Sequence, residues 1–331
     1  MPGIAISERA RKLYSEALVW DDHSGFDPVG GAHRLENLQR WTKSGVHYLS
    51  VNVGYDVIDW QTSLQNLAAF RVWLQKRPEQ YLLVRTADDI LRAKAEGKLA
   101  IAFDLEGMNA LNGSVDMVNV YYELGVRQML FAYNLNNLVG GGCHDADIGL
   151  TELGRAVIRE MNRVGMLVDC SHSAQRTTLE AMDASDAPVI FSHSCAKALW
   201  EHGRNITDEQ IRACARTGGV IGINGIGNFL GRNDISSTKF VEHVAHVSGL
   251  VGPEHVGISL DYAFDAENVD GLVEGNSRYW PKEEYKTASR YLPPEQLQEI
   301  VETMLQRGFS DPEITGILGG NFLRVAKAVW K

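Results

Sequence analysis

Cysteine is scarce, with four residues at positions 143, 170, 195 and 214 and no C-x-x-C pair among them. With that spacing, reduced thiols in a cytoplasmic protein fit better than a disulfide framework. No apolar run reaches the length of a membrane span, and the amino-terminal stretch MPGIAISERARKLYSEAL carries charges throughout, unlike a secretory signal. Proline numbers only 9, and the 32 glycines are dispersed, so composition marks no linker and residues 1–331 are expected to form a single domain. Positive charge is the minority sign, 32 Lys and Arg against 42 Asp and Glu, for a net charge of −10. This balance argues against nucleic acid or an anionic membrane surface as a partner.

The chain does contain short, β-branched apolar runs separated by stretches of helical periodicity. Met166–Val168 and Val189–Phe191 are bounded by Gly165 and Pro188, the pattern of strands buried on both faces. Each leads into a Ser-His pair, at His172 and His193. Parallel strands joined by a helix end on the same side, so both imidazoles should emerge at one rim. Similar runs are ALVWDDHSG, His47–Gly54, Leu99–Gly107, VRQMLFAYN, Gly218–Gly225 and EHVGISLDY, with a small accessory strand at Tyr81–Arg85. Capping residues open the helices at Thr151, Thr207 and Asp311-Pro312. Eight βα units with hydrophobic rather than alternating strands predict an α/β fold, a closed (β/α)₈ TIM barrel. An open doubly wound sheet lacks its signature, since no G-x-G-x-x-G follows the first strand and no P-loop is present.

The strand ends deliver His23, Glu106, His172, His193 and Asp261 to one rim. A lone His in such a place is ordinarily structural; two at the same topological position suggest a shared ligand. Three imidazoles and two carboxylates suit zinc or a similar divalent ion. Water held between paired ions becomes a hydroxide nucleophile near neutral pH, and an Asp can take its proton and return it to a leaving amine. Glu106, buried behind LAIAFDL, needs a metal or a salt-bridge partner. Asp261 is either such an acid/base or a loop cap. Arg204 either clamps a substrate carboxylate or is a solvated charge. Cys143-His144-Asp145, in a Gly- and Asn-rich loop, could ligate metal or line the mouth, but reads first as mobile and polar.

These pieces resemble the membrane dipeptidase family of zinc peptidases among the amidohydrolase-type barrels. The matching segments are LEG at Glu106, GLTELGRAVIREMNRVGMLVDCSH, PVIFSHS, HGRNITDEQ, HVGISLD and ILGGNFLRV, in order along nearly the whole chain. The resemblance implies a metal-dependent hydrolase of dipeptides or related small amides, and a homodimer. It implies one or two Zn²⁺, with Glu106 bridging, His172 and His193 holding one ion and His23 the other. It further implies Asp261 as acid/base, Arg204 on the substrate carboxylate and Tyr133 in the substrate pocket. Two positions depart from the family. Its first strand carries His-x-Asp, whereas here His23-Ser24-Gly25 leaves glycine at the carboxylate's place, which is filled by water, Asp261, Asp27 or Cys143 or else leaves that site weak or empty. On the fourth strand Tyr133 replaces a His, keeping one donor but losing the capacity for charge. A one-ion hydrolase of a non-peptide amide or lactone, and a non-catalytic small-molecule-binding barrel, are the other readings.

Overall fold

Strands appear wherever the apolar runs lie. In the computed structural model, which describes residues 4–25 and 34–331, they are β1 (Trp20–Ser24), β2 (Tyr48–Tyr55), β3 (Tyr81–Leu83), β4 (Leu99–Glu106), β5 (Val126–Leu130), β6 (Leu167–Asp169), β7 (Val189–Ser194), β8 (Ile221–Asn224) and β9 (Val256–Ser259). All pairings are parallel, and the order is β1-β2-β4-β5-β6-β7-β8-β9, with β3 added outside β4. Every residue of the eight principal strands is buried, which explains why they read as continuous apolar runs. The accessory strand is found where expected and is shorter than predicted.

β9 returns to β1 just beyond its own end. Asp261 N–H donates to the His23 carbonyl at 2.9 Å, and Gly25 N–H donates to the Tyr262 carbonyl at 2.9 Å. Buried Asp21 joins in, accepting from Leu260 N–H at 2.8 Å. These bonds bring the first and last strands together, so the expected (β/α)₈ barrel is formed. They also place His23 beside Asp261 at the same rim.

The outer helices follow the capping signals. The helix Glu152–Val164 begins at Thr151, whose hydroxyl accepts from Gly154 N–H, and buries Val157, Ile158, Met161 and Val164. It ends at Gly165, where φ is +91° and an added Cβ would lie 2.7 Å from the Val329 carbonyl. Only glycine meets both conditions, and the chain turns there directly into β6. At the carboxyl end, Asp311–Thr315 runs through a π-helical turn, Gly316–Gly320, into Asn321–Val329. The helix expected from Asp311-Pro312, the second of two at this end, is therefore interrupted: Gly319 lies against the Leu18 carbonyl, 2.6 Å from where its Cβ would be.

All four cysteines are free, as their spacing predicts. Among the described residues no helix is long and apolar enough to cross a membrane.

Candidate metal centre

The rim gathers the predicted residues around Glu106, the last residue of β4. Its two carboxylate oxygens face different partners. Oε1 lies 3.0 Å from His23 Nε2, and Oε2 lies 3.2 Å from His172 Nε2 and 3.9 Å from His193 Nε2. Asp261 Oδ1 approaches His23 Nε2 at 3.5 Å. His23, Glu106 and His193 each offer a ligand atom within 4.8 Å of the others, and all three are buried.

His193 lies in β7, whereas β6 stops at Asp169 and His172 follows three residues later with φ of +61°; the protonation of both rings follows from their outer partners. Asn134 donates its amide N–H to the Tyr279 carbonyl at 3.0 Å, so its Oδ1 faces His172 Nδ1 at 2.7 Å. Nδ1 must therefore carry the proton. Ser192 gives its hydroxyl proton to Asp169 Oδ2 at 2.5 Å, so its oxygen accepts from His193 Nδ1 at 2.7 Å. Both Nε2 atoms are consequently bare, and they face each other at 2.9 Å. Burial holds both imidazoles well below their usual pKa, so they stay neutral. Two lone pairs aimed at one point beside a carboxylate oxygen fit a divalent cation and little else.

His23 is built differently. Burial alone would lower its pKa, but Asp104 and Glu106 outweigh burial and raise it well above the usual value. Its Nδ1 donates to Asp104 Oδ1 at 3.1 Å, which aims Nε2 at Glu106 and Asp261. Carboxylates that favour a proton at that nitrogen favour any other cation there as well. Glu106 itself is pushed up to about 7 by burial, partly offset by His23.

The remaining predicted residues fall around this core. Asp261 has φ of +52°, and its Oδ2 accepts from Asn224 Nδ2 at 2.8 Å, leaving Oδ1 toward His23. Tyr133 stacks on His172 with ring centroids 4.2 Å apart, and burial raises its pKa, so the phenol stays protonated. Arg204 is not solvated. It is only 2% exposed, donates to the His193 carbonyl at 2.7 Å, and has an Nε without a hydrogen-bond partner among the described residues. Two pockets meet at His172: a polar one lined by Arg204 and Lys197, and an apolar one lined by Phe229, Trp280 and Tyr291 together with Glu106 and Asp261.

The model of the membrane dipeptidase family (peptidase family M19) matches residues 37–280. The chain belongs to the membrane dipeptidase family. Among individual relatives, dipeptidase tcpJ from Claviceps purpurea is 33% identical over 289 residues, 86% of this chain and 61% of that protein. The chain spans less than two thirds of the length of the first curated relatives it matches, 61%, 62% and 65%. An amidohydrolase from Pseudomonas aeruginosa has the same fold, with TM-score 0.86, 26% identity, and coverage of 97% of this chain and 99% of that one. A Rhodobacter sphaeroides metallo peptidase, solved with a phosphinate mimic of L-Ala-D-Ala, shares the fold at TM-score 0.77 and 19% identity, covering 95% of this chain and 99% of that one.

Against the family pattern, three expectations need correction. The Cys143 loop is packed rather than loose: Cys143 N–H donates to the His172 carbonyl at 2.8 Å, and His144 Nε2 meets the Tyr285 hydroxyl at 3.0 Å. Cys143 does not replace the absent carboxylate near His23; its thiol donates to Asn134 Oδ1 at 3.4 Å, and burial pushes its pKa up to about 12. Position 25 is also not part of the first strand, because β1 ends at Ser24 and Gly25 turns with φ of +75°. Asp27 lies outside the described residues.

Four functional neighbours were missed by sequence reasoning: Asp104, Asn134, Ser192 and Asn224. Asp104 was within reach, since it precedes Glu106 by two residues on a strand and must share its face. Asn52 of β2 confirms that shared face by donating to both Asp104 Oδ1, at 3.1 Å, and Glu106 Oε1, at 3.0 Å.

Proposed function

We propose that this chain is a metal-dependent hydrolase of dipeptides or related small amides, with zinc held by His172, His193, Glu106 and His23. The observation that carries this reading is the convergence of two bare imidazole nitrogens, 2.9 Å apart, on one carboxylate oxygen of Glu106. When bound, the cation would polarise the scissile carbonyl and make water acidic enough to attack it.

The chain's own groups supply the rest. Asp261, held through Oδ2 by Asn224, receives the attacking water's proton at Oδ1 and passes it to the departing amine. Tyr133, a neutral phenol beside His172, donates a hydrogen bond to the oxygen on which charge develops. Arg204, buried and lacking a carboxylate partner among the described residues, receives the substrate's carboxylate through the polar pocket. The apolar walls at Phe229, Trp280 and Tyr291 exclude water from the other end.

The test is a panel of L,L-, L,D- and D,D-dipeptides offered to the zinc-supplemented protein. Turnover of at least one class is expected, and Asp261→Asn should lower it by about 10²–10⁴-fold with metal content unchanged. Failure across the panel, with protein that takes up no metal, would overturn the reading.

A further inference from the structure

We propose that Phe264 makes the two cation positions of this centre unequal, so that the chain retains one ion firmly, between His172, His193 and Glu106, and the His23 side only weakly. The inference rests on the metal-centre reading above but concerns metal count, not turnover.

The space that a side chain at position 25 would enter is taken by an aromatic ring. A Cβ built on Gly25 would meet Phe264 Cζ at 2.7 Å, Cε1 at 3.1 Å and Cε2 at 3.3 Å, so the end of the ring abuts the α-carbon. The backbones of both partners are held, and Trp41 packs against the ring. Gly25 N–H is bonded to the Tyr262 carbonyl at 2.9 Å, and the Phe264 carbonyl accepts from Asn37 Nδ2 at 3.2 Å. The ring packs edge-on to Trp41, centroids 5.6 Å apart at 82°, and the Trp41 indole N–H is fixed to Asp21 Oδ2 at 2.8 Å. The glycine two residues after His23 is therefore one half of a packed contact rather than a vacancy that any carboxylate could fill.

The two sides of Glu106 differ accordingly. Toward Oε2, two imidazoles have their tautomers set by Asn134 and Ser192 and present bare nitrogens. Toward Oε1, one imidazole is accompanied by Asp261, whose oxygen stands 3.5 Å from it and which the chemistry needs as a proton carrier. Hydrocarbon closes the direction from which position 25 would have contributed an oxygen. A divalent ion offered two neutral nitrogens and a carboxylate on one side and, among the described residues, one nitrogen and two shared carboxylates on the other fills the sides unequally.

Metal content decides the matter. Zinc-loaded protein passed through metal-free buffer and measured by plasma mass spectrometry should hold one ion per chain. His172→Ala should empty it, whereas His23→Ala should keep that ion. Gly25→Asp alone should not raise the count, because the ring still blocks it, even though Asp tolerates the left-handed backbone better than most residues. Gly25→Asp combined with Phe264→Ala should raise the count to two. Two firmly held ions in the unmodified chain, or one ion lost in His23→Ala and kept in His172→Ala, would overturn the proposal while leaving the hydrolase reading standing. No retained ion would remove both. A folded double variant that stays at one ion would remove the assignment to Phe264; should that variant not fold, the two single histidine variants still decide.

Discussion

His172 Nε2 and His193 Nε2 stand 2.9 Å apart with no proton available to join them. Because each ring gives its only proton to an outer acceptor, the contact is repulsive in the metal-free chain and favourable once a cation lies between. Folding and metal binding are then linked, since an ion that binds the folded chain alone stabilises it by mass action. At zinc concentrations a hundredfold above the dissociation constant, the gain is about 2.7 kcal/mol. For a chain of this size the melting temperature should rise by roughly 3–6 °C. Differential scanning calorimetry of chelator-treated protein, with and without zinc, measures it. His193→Ala should abolish the rise, and an undiminished rise would show that the ion binds elsewhere.

Ser192 controls one of those nitrogens without touching the ion. Its hydroxyl sits between Asp169 Oδ2, at 2.5 Å, and His193 Nδ1, at 2.7 Å, relaying the carboxylate's preference to the ring. Ser192→Ala removes the acceptor that holds the Nδ1–H tautomer and leaves Asp169 one partner short. Outer partners of this kind are worth roughly 10–100-fold in metal affinity. Competition with a chromogenic chelator should show a loss of that size while circular dichroism reports an intact fold. Unchanged affinity would mean that the ring is oriented by packing alone.

The division between what the chain displayed and what it concealed has a physical basis. His172, His193 and Glu106 were legible because a Ser-His pair recurs after two successive buried runs and a carboxylate buried behind LAIAFDL needs a partner. Asp104 followed the strand's period-two logic and needed only to be counted back from Glu106. Asn134 was not legible: its role depends on φ of +62° and on the Tyr279 carbonyl, 145 residues away. Phe264 was hidden for a related reason. Alternation predicts directions within a strand, but Gly25 lies past the end of β1 with positive φ, so only the folded chain shows what occupies that direction. The helix Ala266–Gly275, whose Val269, Leu272 and Val273 line the apolar pocket at helical spacing, was obscured by Gly271 and Gly275. Arg204 could be located but not weighed, since its burial comes from the loop after β7 folding back on the His193 carbonyl.

That loop depends in turn on His243, which yields a prediction about acid. His243, in the helix Ser237–Val251, is fully buried; its Nδ1 accepts from Ala196 N–H at 3.1 Å and its Nε2 donates to the Leu230 carbonyl at 3.0 Å. A second proton would oppose one N–H to another. Burial lowers its pKa to about 4, with Lys239 and His246 pushing the same way and the Leu230 carbonyl and Glu242 opposing. In the unfolded chain the ring titrates near 6.5. As pH falls from 6.5 toward 4, the unfolded chain takes up a proton that the folded chain refuses, so this contribution is complete above 6.5 and is lost progressively below it. Its full size is on the order of 3 kcal/mol. His243→Asn keeps an acceptor for Ala196 but cannot titrate. It should be less stable than the parent at pH 7.5, by about 1–2 kcal/mol for the lost bond to Leu230. Its stability should fall less steeply between pH 6.5 and 5 in urea unfolding. The other histidines are common to both proteins, so the difference between the two slopes isolates this ring, and parallel slopes would show that it does not govern the acid sensitivity of the loop carrying Arg204.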